Sequence, residues 1–149
     1  MMRKKGINNN IRIFLVDNDA FCINVYKKYL NDLNYFNIST FENGADCLNN
    51  LSKQPDIIFL DYGMEHMNGL EVLKRIKKID PEIPVTFLSG VASIMTAVSA
   101  IKHGALDYIV KGINDRENIA RILEQVTEKV KVKRNQLEAD YIKRLLQEY

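Results

Sequence analysis

Five short apolar runs, each followed by a segment with apolar residues at helical spacing, constrain this chain more than any other feature. The run Ile11 to Val16 (IRIFLV) is apolar and β-branched, and Ala20 to Leu33 (AFCINVYKKYLNDL) repeats its apolar positions every three or four residues, as one face of a helix does. The order recurs as FNISTF then GADCLNNL, DIIFL then GLEVLKRIKKI, VTFLS then ASIMTAVSAIKH, and DYIV then the helix after Asn114. Strands alternating with helices over short connections are parallel, joined by right-handed crossovers, with helices on both faces of the sheet. DIIFL has no polar residue after its first position, as expected of a strand buried on both faces. The predicted fold is α/β: a doubly wound five-stranded parallel sheet with five helices in a three-layer sandwich. Ligands of such a sheet sit beyond the carboxyl ends of the strands, where strand order reverses.

With 149 residues, 46% of them hydrophobic, the chain buries one full core and leaves little for a second. Lys and Arg total 21 against 19 for Asp and Glu, a net charge of +2, which argues for neither a nucleic-acid nor a membrane surface. The opening MMRKKGINNN reads as a disordered basic tail, residues 1–10, too polar for a signal sequence. No apolar run approaches the roughly 18 residues that span a bilayer, so a cytoplasmic protein is expected. Cys22 and Cys47 lie in separate predicted helices without metal-ligand spacing, and buried reduced thiols are expected.

Polar residues follow the apolar runs at four of the five strand ends: Asp17, Asn18 and Asp19 after the first, Asp61 after the third, Ser89 after the fourth and Lys111 after the fifth. Each alone has an ordinary explanation: Asp19 or Ser89 can cap the following helix, and Lys111 can be solvated. Together they converge on one edge. Carboxylates from two strands form a hard oxygen site suited to Mg²⁺, and a hydroxyl and an ammonium opposite can hold phosphoryl oxygens. The chemistry suggested is phosphoryl transfer to a carboxylate, giving an acyl phosphate.

From about Ile11 to about Val130 the sequence resembles a response-regulator receiver domain. LVDND, IIFLDYGMEHMNG, TFLSG and GALDYIVKG stand in the family's order, and Asp61 is followed by Met64 at plus three and Gly69 at plus eight. The resemblance implies a flavodoxin-like strand order of 2-1-3-4-5 and a receiver domain over residues 11–130, followed by a helical extension, linker or coiled-coil-like, over 131–149. It implies Asp61 as phosphoacceptor, Lys111 and Ser89 as its partners in transfer, and Ser89 with Tyr108 as the switch. Mg²⁺ would be held by Asp17, Asn18, Asp61 and the backbone carbonyl of Gly63. The phosphoryl donor would be a histidine kinase or histidine phosphotransfer protein, and the chain would catalyse only its own phosphorylation and dephosphorylation. A change in the surface of the fourth helix, fifth strand and fifth helix would carry the signal, with that surface or the C-terminal helix available for a homodimer and no direct nucleic-acid or membrane contact.

Three positions depart from the family pattern. Asn18 replaces the second of two adjacent acids, which lowers the expected Mg²⁺ affinity, although Asn offers a carbonyl oxygen and Asp19 lies near enough in sequence to act through water. Glu65 replaces a proline, so a looser loop is expected there. Lys111-Gly112 replaces a Lys-Pro pair whose bond is commonly cis; without proline a cis bond costs about 3 kcal/mol, so a trans bond is expected, with room for Lys111 to be displaced. Gly90 keeps a small residue beside Ser89.

Two other functions compete with the switch. A pseudo-receiver would keep the fold and act as a phosphorylation-independent interaction module. A haloacid dehalogenase-type phosphatase would use Asp17 as nucleophile in Asp17-Asn18-Asp19, but Phe21 stands where that family has Thr, and no second acidic pair follows a strand after Lys111. His66 and His103 are isolated and receive no role.

Asn114 to Tyr149 contains neither Gly nor Pro, and Asp115 and Glu117 favour a helix start, so one long helix is predicted. Ile119, Leu123, Val126 and Val130 follow a heptad seam that then meets Lys133 and Asp140. Leu137, Tyr141, Leu145 and Tyr149 form a second, offset row. Packing on a partner or second copy and packing back on the chain's own domain both fit this pattern. The basic cluster Lys129, Lys131, Lys133 and Arg134 is flanked by Glu128 and Glu138, as on a solvated face.

Overall fold

A computed structural model describes residues 10–148; the expected tail over residues 1–10 lies, but for Asn10, outside them. The elements are β1 (Ile13–Val16), α1 (Ala20–Asp32), β2 (Ile38–Phe41), α2 (Gly44–Asn49), a 3₁₀ turn (Leu51–Lys53), β3 (Ile57–Leu60), α3 (Gly69–Ile79), β4 (Val85–Ser89), α4 (Ile94–Lys102), β5 (Asp107–Val110) and α5 (Asp115–Gln147). The five strands form one parallel sheet in the order β2-β1-β3-β4-β5, as the family resemblance implies.

Alternation along each strand divides the core into two layers. Ile13 and Leu15 of β1, with Phe59, Leu88 and Ile109, face α1 and the first turns of α5, meeting Ile23, Tyr26 and Leu30 on one helix and Ile119, Ile122, Leu123 and Val126 on the other. Phe14 and Val16, with Ile58, Leu60, Val85 and Phe87, face α2, α3 and α4 through Cys47, Val72, Leu73, Ile76 and Ala100. Successive side chains of a strand point to opposite faces, so a sheet covered on both sides is apolar at every position, as β1, β3 and β4 are almost throughout. Burying each such Ile, Leu or Phe contributes about 1.5–3 kcal/mol.

The first half of the predicted seam on α5 is thereby explained without a partner: Ile119, Leu123 and Val126 are buried in the chain's own core, joined by Ile122, and Val130 packs against it. The second half differs. Leu137, Tyr141 and Leu145 are exposed, although the helix continues unbroken to Gln147. Among the described residues no helix is long and apolar enough to cross a membrane.

Candidate functional site

Strand order reverses between β1 and its neighbours β2 and β3, which opens a crevice at their carboxyl ends. The ladders continue one residue past the strands there: Asp17 N–H donates to Phe41 O (3.0 Å), Asp61 N–H to Val16 O (2.9 Å) and Lys111 N–H to Ser89 O (2.8 Å). Pairing thus fixes the backbone of three polar residues along one edge.

Their side chains meet. Lys111 Nζ donates to Asp17 Oδ2 at 2.6 Å and lies 3.6 Å from Asp61 Oδ1. Asp17 Oδ1 accepts the Asp19 N–H at 2.9 Å, and the backbone amides of Gly63 and Tyr62 favour the charged form of the Asp61 carboxylate. Asp17 and Asp61 are buried, and Ser89 is 0% exposed. Burial, and then the charge of Asp17, push the Asp61 carboxyl above its ordinary range, and Lys111 with the two amides offsets only part of this. For Lys111 burial alone acts downward, but the hydrogen bond to Asp17 and the charges of Asp61 and Asp17 outweigh it and hold the ammonium above its usual value.

Two buried carboxylates share one ammonium, a surplus of negative charge that suits a cation. Mg²⁺ keeps several waters and needs only one or two protein carboxylates, so Asp17 and Asp61 fit it. Little else reinforces the site. Asn18 is exposed, and both Asp19 oxygens are engaged, one capping α1 through the Phe21 N–H (2.9 Å) and the other accepting the Cys22 thiol (3.6 Å). Among the described residues no group of three or more His, Cys, Asp or Glu gathers where it could hold a metal. The Asp19 carboxylate, the second acid of Asp17-Asn18-Asp19, is turned into the helix cap.

Beyond Asp61, the Ser89 hydroxyl accepts the Val91 N–H at 3.2 Å, and the Tyr108 hydroxyl donates to Val91 O at 2.7 Å. One residue of the β4–α4 loop therefore ties the two candidate switch residues together. Ser89 does not cap α4; Ser93 does, through the Thr96 N–H. Tyr108 closes an aromatic group, its ring centroid 5.8 Å from Phe87 and 6.4 Å from Tyr62, which lies 5.4 Å from Phe87. Gly69 is required by close approach: its N–H donates to Tyr62 O at 2.8 Å, and a Cβ there would meet the Phe87 ring and Tyr62 Cα at 2.7 Å. Around Gly90 a Cβ would meet nothing, so no neighbour there requires a glycine.

Among the described residues every peptide bond is trans, Lys111-Gly112 included, yet Lys111 is not displaced from the carboxylates. In the Glu65 loop, His66 takes a φ of 63°. His103 ends α4, its Nδ1 2.7 Å from Ser99 O, and Cys22 and Cys47 are free thiols, Cys47 pushed up to about 12 by burial. Sequence reasoning missed Asp115, Tyr26 and Tyr62. Asp115 reads as one more acid at a helix start, but it is buried and accepts a hydrogen bond from the Tyr26 hydroxyl at 2.6 Å. Tyr62, adjacent to Asp61, carried a signal in its position alone.

Comparison with known proteins agrees with this fold. The family model of the response regulator receiver domain matches residues 13–124. The chain is 34% identical over 119 residues to the transcriptional regulatory protein ZraR of Escherichia coli K12, covering 79% of this chain and 26% of ZraR. It is 34% identical over 98 residues to the regulatory protein LuxO of Vibrio cholerae, covering 65% of this chain and 21% of LuxO. The chain thus spans about a quarter of the length of these relatives. The crystal structure of the receiver domain of NtrX from Brucella abortus superposes with a TM-score of 0.70 at 31% identity, over 78% of this chain and 98% of that one. By the family match and by the fold, the chain belongs to the response regulator receiver domains of two-component systems.

Proposed function

We propose that this chain is a phosphorylation-dependent signalling switch, accepting a phosphoryl group on Asp61 from a histidine kinase or histidine phosphotransfer protein. The observation that carries the reading is the meeting of Asp17, Asp61 and Lys111 at the switch point of the sheet. A carboxylate oxygen of Asp61 attacks phosphorus; the new O–P bond forms as the N–P bond of the donor phosphohistidine breaks, and the released imidazole takes up a proton. Lys111 places a positive charge beside the transferring oxygens. Mg²⁺, held by Asp17, Asp61, the Gly63 carbonyl and Asn18, would neutralise further charge on those oxygens. The backbone amides of Gly63 and Tyr62 favour the charged form of the Asp61 carboxylate.

A phosphoryl oxygen then accepts the Ser89 hydroxyl proton and draws that hydroxyl toward Asp61, away from the Val91 N–H that its oxygen accepts. Moving Ser89 loosens the loop that Tyr108 holds through Val91 O, and Tyr108 turns. The surface of α4, β5 and α5 changes with it, and the phosphate acts only through its preference for one of the two arrangements. Exposed Ile94, Met95, Val98 and Ile113 give that surface apolar contacts to offer. The switch occupies residues 11–130, with 131–149 as its helical extension.

Incubation with Mg²⁺ and acetyl phosphate is expected to add the mass of one phosphoryl group, and Asp61→Asn is expected to prevent it. Unmodified wild-type protein, or an Asp61→Asn variant that still gains the mass, overturns the reading. A second reading, a phosphorylation-independent interaction module, is favoured by one observation: exposed Asn18 and the committed carboxylate of Asp19 leave the metal site with two anions. Wild-type protein that stays unmodified while its folded structure and partner binding persist would select it.

A further inference from the structure

Lys111 reaches the carboxylates from a backbone pinned on both sides. Before its side chain departs, its N–H is held by Ser89 O. Immediately after it, Gly112 turns with a φ of 80°, in the left-handed region that favours glycine, and a glycine is free to leave that conformation unless something holds it. The Gly112 N–H donates to Asp115 Oδ2 at 2.8 Å. The same oxygen accepts the Tyr26 hydroxyl of α1 at 2.6 Å, and Asp115 Oδ1 accepts the Arg116 N–H at 3.0 Å. Tyr26 is 6% exposed and Asp115 8%, so water does not compete freely for these bonds. Asn114, in the capping position of α5, is left-handed and its side chain caps nothing. Beside the cluster the Arg116 guanidinium lies 4.4 Å above the Tyr29 ring, a second link between α1 and the start of α5.

A buried carboxylate at the first turn of a helix has no need of a tyrosine from another helix, nor of the amide three residues back; here both converge on one oxygen. We propose that Asp115, held in place by Tyr26, is the positioning residue for Lys111: through the Gly112 amide it fixes the loop from which the ammonium reaches Asp17 and Asp61. The effect on phosphoryl transfer rests on the reading of Asp61 as phosphoacceptor, whereas the effect on the position of Lys111 does not.

The test compares Tyr26→Phe, Asp115→Ala and Asp115→Asn with Val126→Ala, a core substitution in the same layer that touches neither loop nor site. Two quantities are measured: the rate of phosphorylation by acetyl phosphate at saturating Mg²⁺, per folded molecule, and the distance from Lys111 Nζ to Asp17 Oδ2 in crystal structures of the variants, 2.6 Å in the wild type. Tyr26→Phe and Asp115→Ala are expected to slow phosphorylation roughly ten- to a hundredfold, as small misplacements of a catalytic group do, and to move the Lys111 ammonium out of hydrogen-bond reach of Asp17. Asp115→Asn keeps one oxygen for the Gly112 N–H and is expected to recover part of both. Val126→Ala should change neither. If Tyr26→Phe and Asp115→Ala match Val126→Ala in both readouts, the proposal is overturned; should Asp115→Ala not fold, Tyr26→Phe decides. A wild-type protein that takes no phosphoryl group sinks the phosphoacceptor reading, and the position of Lys111 in the variant structures still decides this one.

Discussion

Lys111 donates to Asp17 at 2.6 Å while standing 3.6 Å from Asp61, so its closest partner is a carboxylate that a metal ion would also use. Lysine and cation therefore draw on the same buried anion. Asp17→Asn removes the charge both depend on, and Mg²⁺ binding is expected to weaken at least roughly tenfold, with Mg²⁺-dependent phosphorylation falling accordingly. The chain has no Trp and seven Tyr, so tyrosine emission, with Tyr62 adjacent to the site, reports the Mg²⁺ titration. Unchanged Mg²⁺ affinity in the variant would place the ion elsewhere.

Asn18→Asp works in the opposite direction. Position 18 is exposed, so a carboxylate there adds charge beside Asp17 with little desolvation, and hard cations bind more tightly as anionic ligands are added. Mg²⁺ affinity is expected to rise roughly tenfold by the same titration, with faster phosphorylation at low Mg²⁺. A variant no tighter than wild type would show that residue 18 does not face the ion.

The fold was legible because its signals are local and repeated. Apolar β-branched runs followed by helical periodicity occur five times, and covering both faces of a parallel sheet requires that pattern. Asp17, Asp61, Ser89 and Lys111 were legible for the same reason, since a residue that ends a strand must lie at the sheet edge. What escaped depends on distance. Asp115 and Tyr26 are separated by 89 residues, and neither neighbourhood hints at the other. The expected freedom of Lys111 rested on the missing proline, whereas the loop is held by a hydrogen bond that only a residue with an N–H can donate. The seam on α5 breaks at Lys133 in the sequence, but periodicity alone does not tell that its first part packs on the chain's own sheet rather than on a partner.

Asp61 carries a stability consequence with a definite sign. Its folded-state pKa lies above the ordinary 3.8, chiefly because burial and then Asp17 disfavour its charge. The folded state thus holds its proton to higher pH than the unfolded state, so stability falls as pH rises from 3.8 through the folded value and the loss persists above it. Asp61→Asn removes that charge, and the metal-free variant is expected to melt a few degrees higher than wild type near neutral pH. The gain should shrink as the pH approaches and passes below 3.8, where wild-type Asp61 is protonated in both states. Melting curves across the acid range check this; a variant less stable at neutral pH would show that the amides of Gly63 and Tyr62 and the Lys111 ammonium outweigh the burial.

The last turns of α5 make the remaining prediction. Val126 is 4% exposed, whereas Leu137, Tyr141 and Leu145 are 61%, 62% and 43% exposed and are joined by exposed Ile142 and Leu146. A helical segment this short has marginal stability when nothing packs on it. Its apolar residues step by four, a ridge that packs against another helix at a steep crossing of about −50° rather than in a heptad coiled coil. Every copy carries the same face, so a second copy meets it with two-fold symmetry. The full chain is expected to dimerise with rising concentration, and a chain ending at Val130 to remain a folded monomer. Light scattering across a concentration series measures both. A full-length monomer at every concentration removes the pairing, and a dimer that survives truncation moves it to the surface of α4, β5 and the first turns of α5.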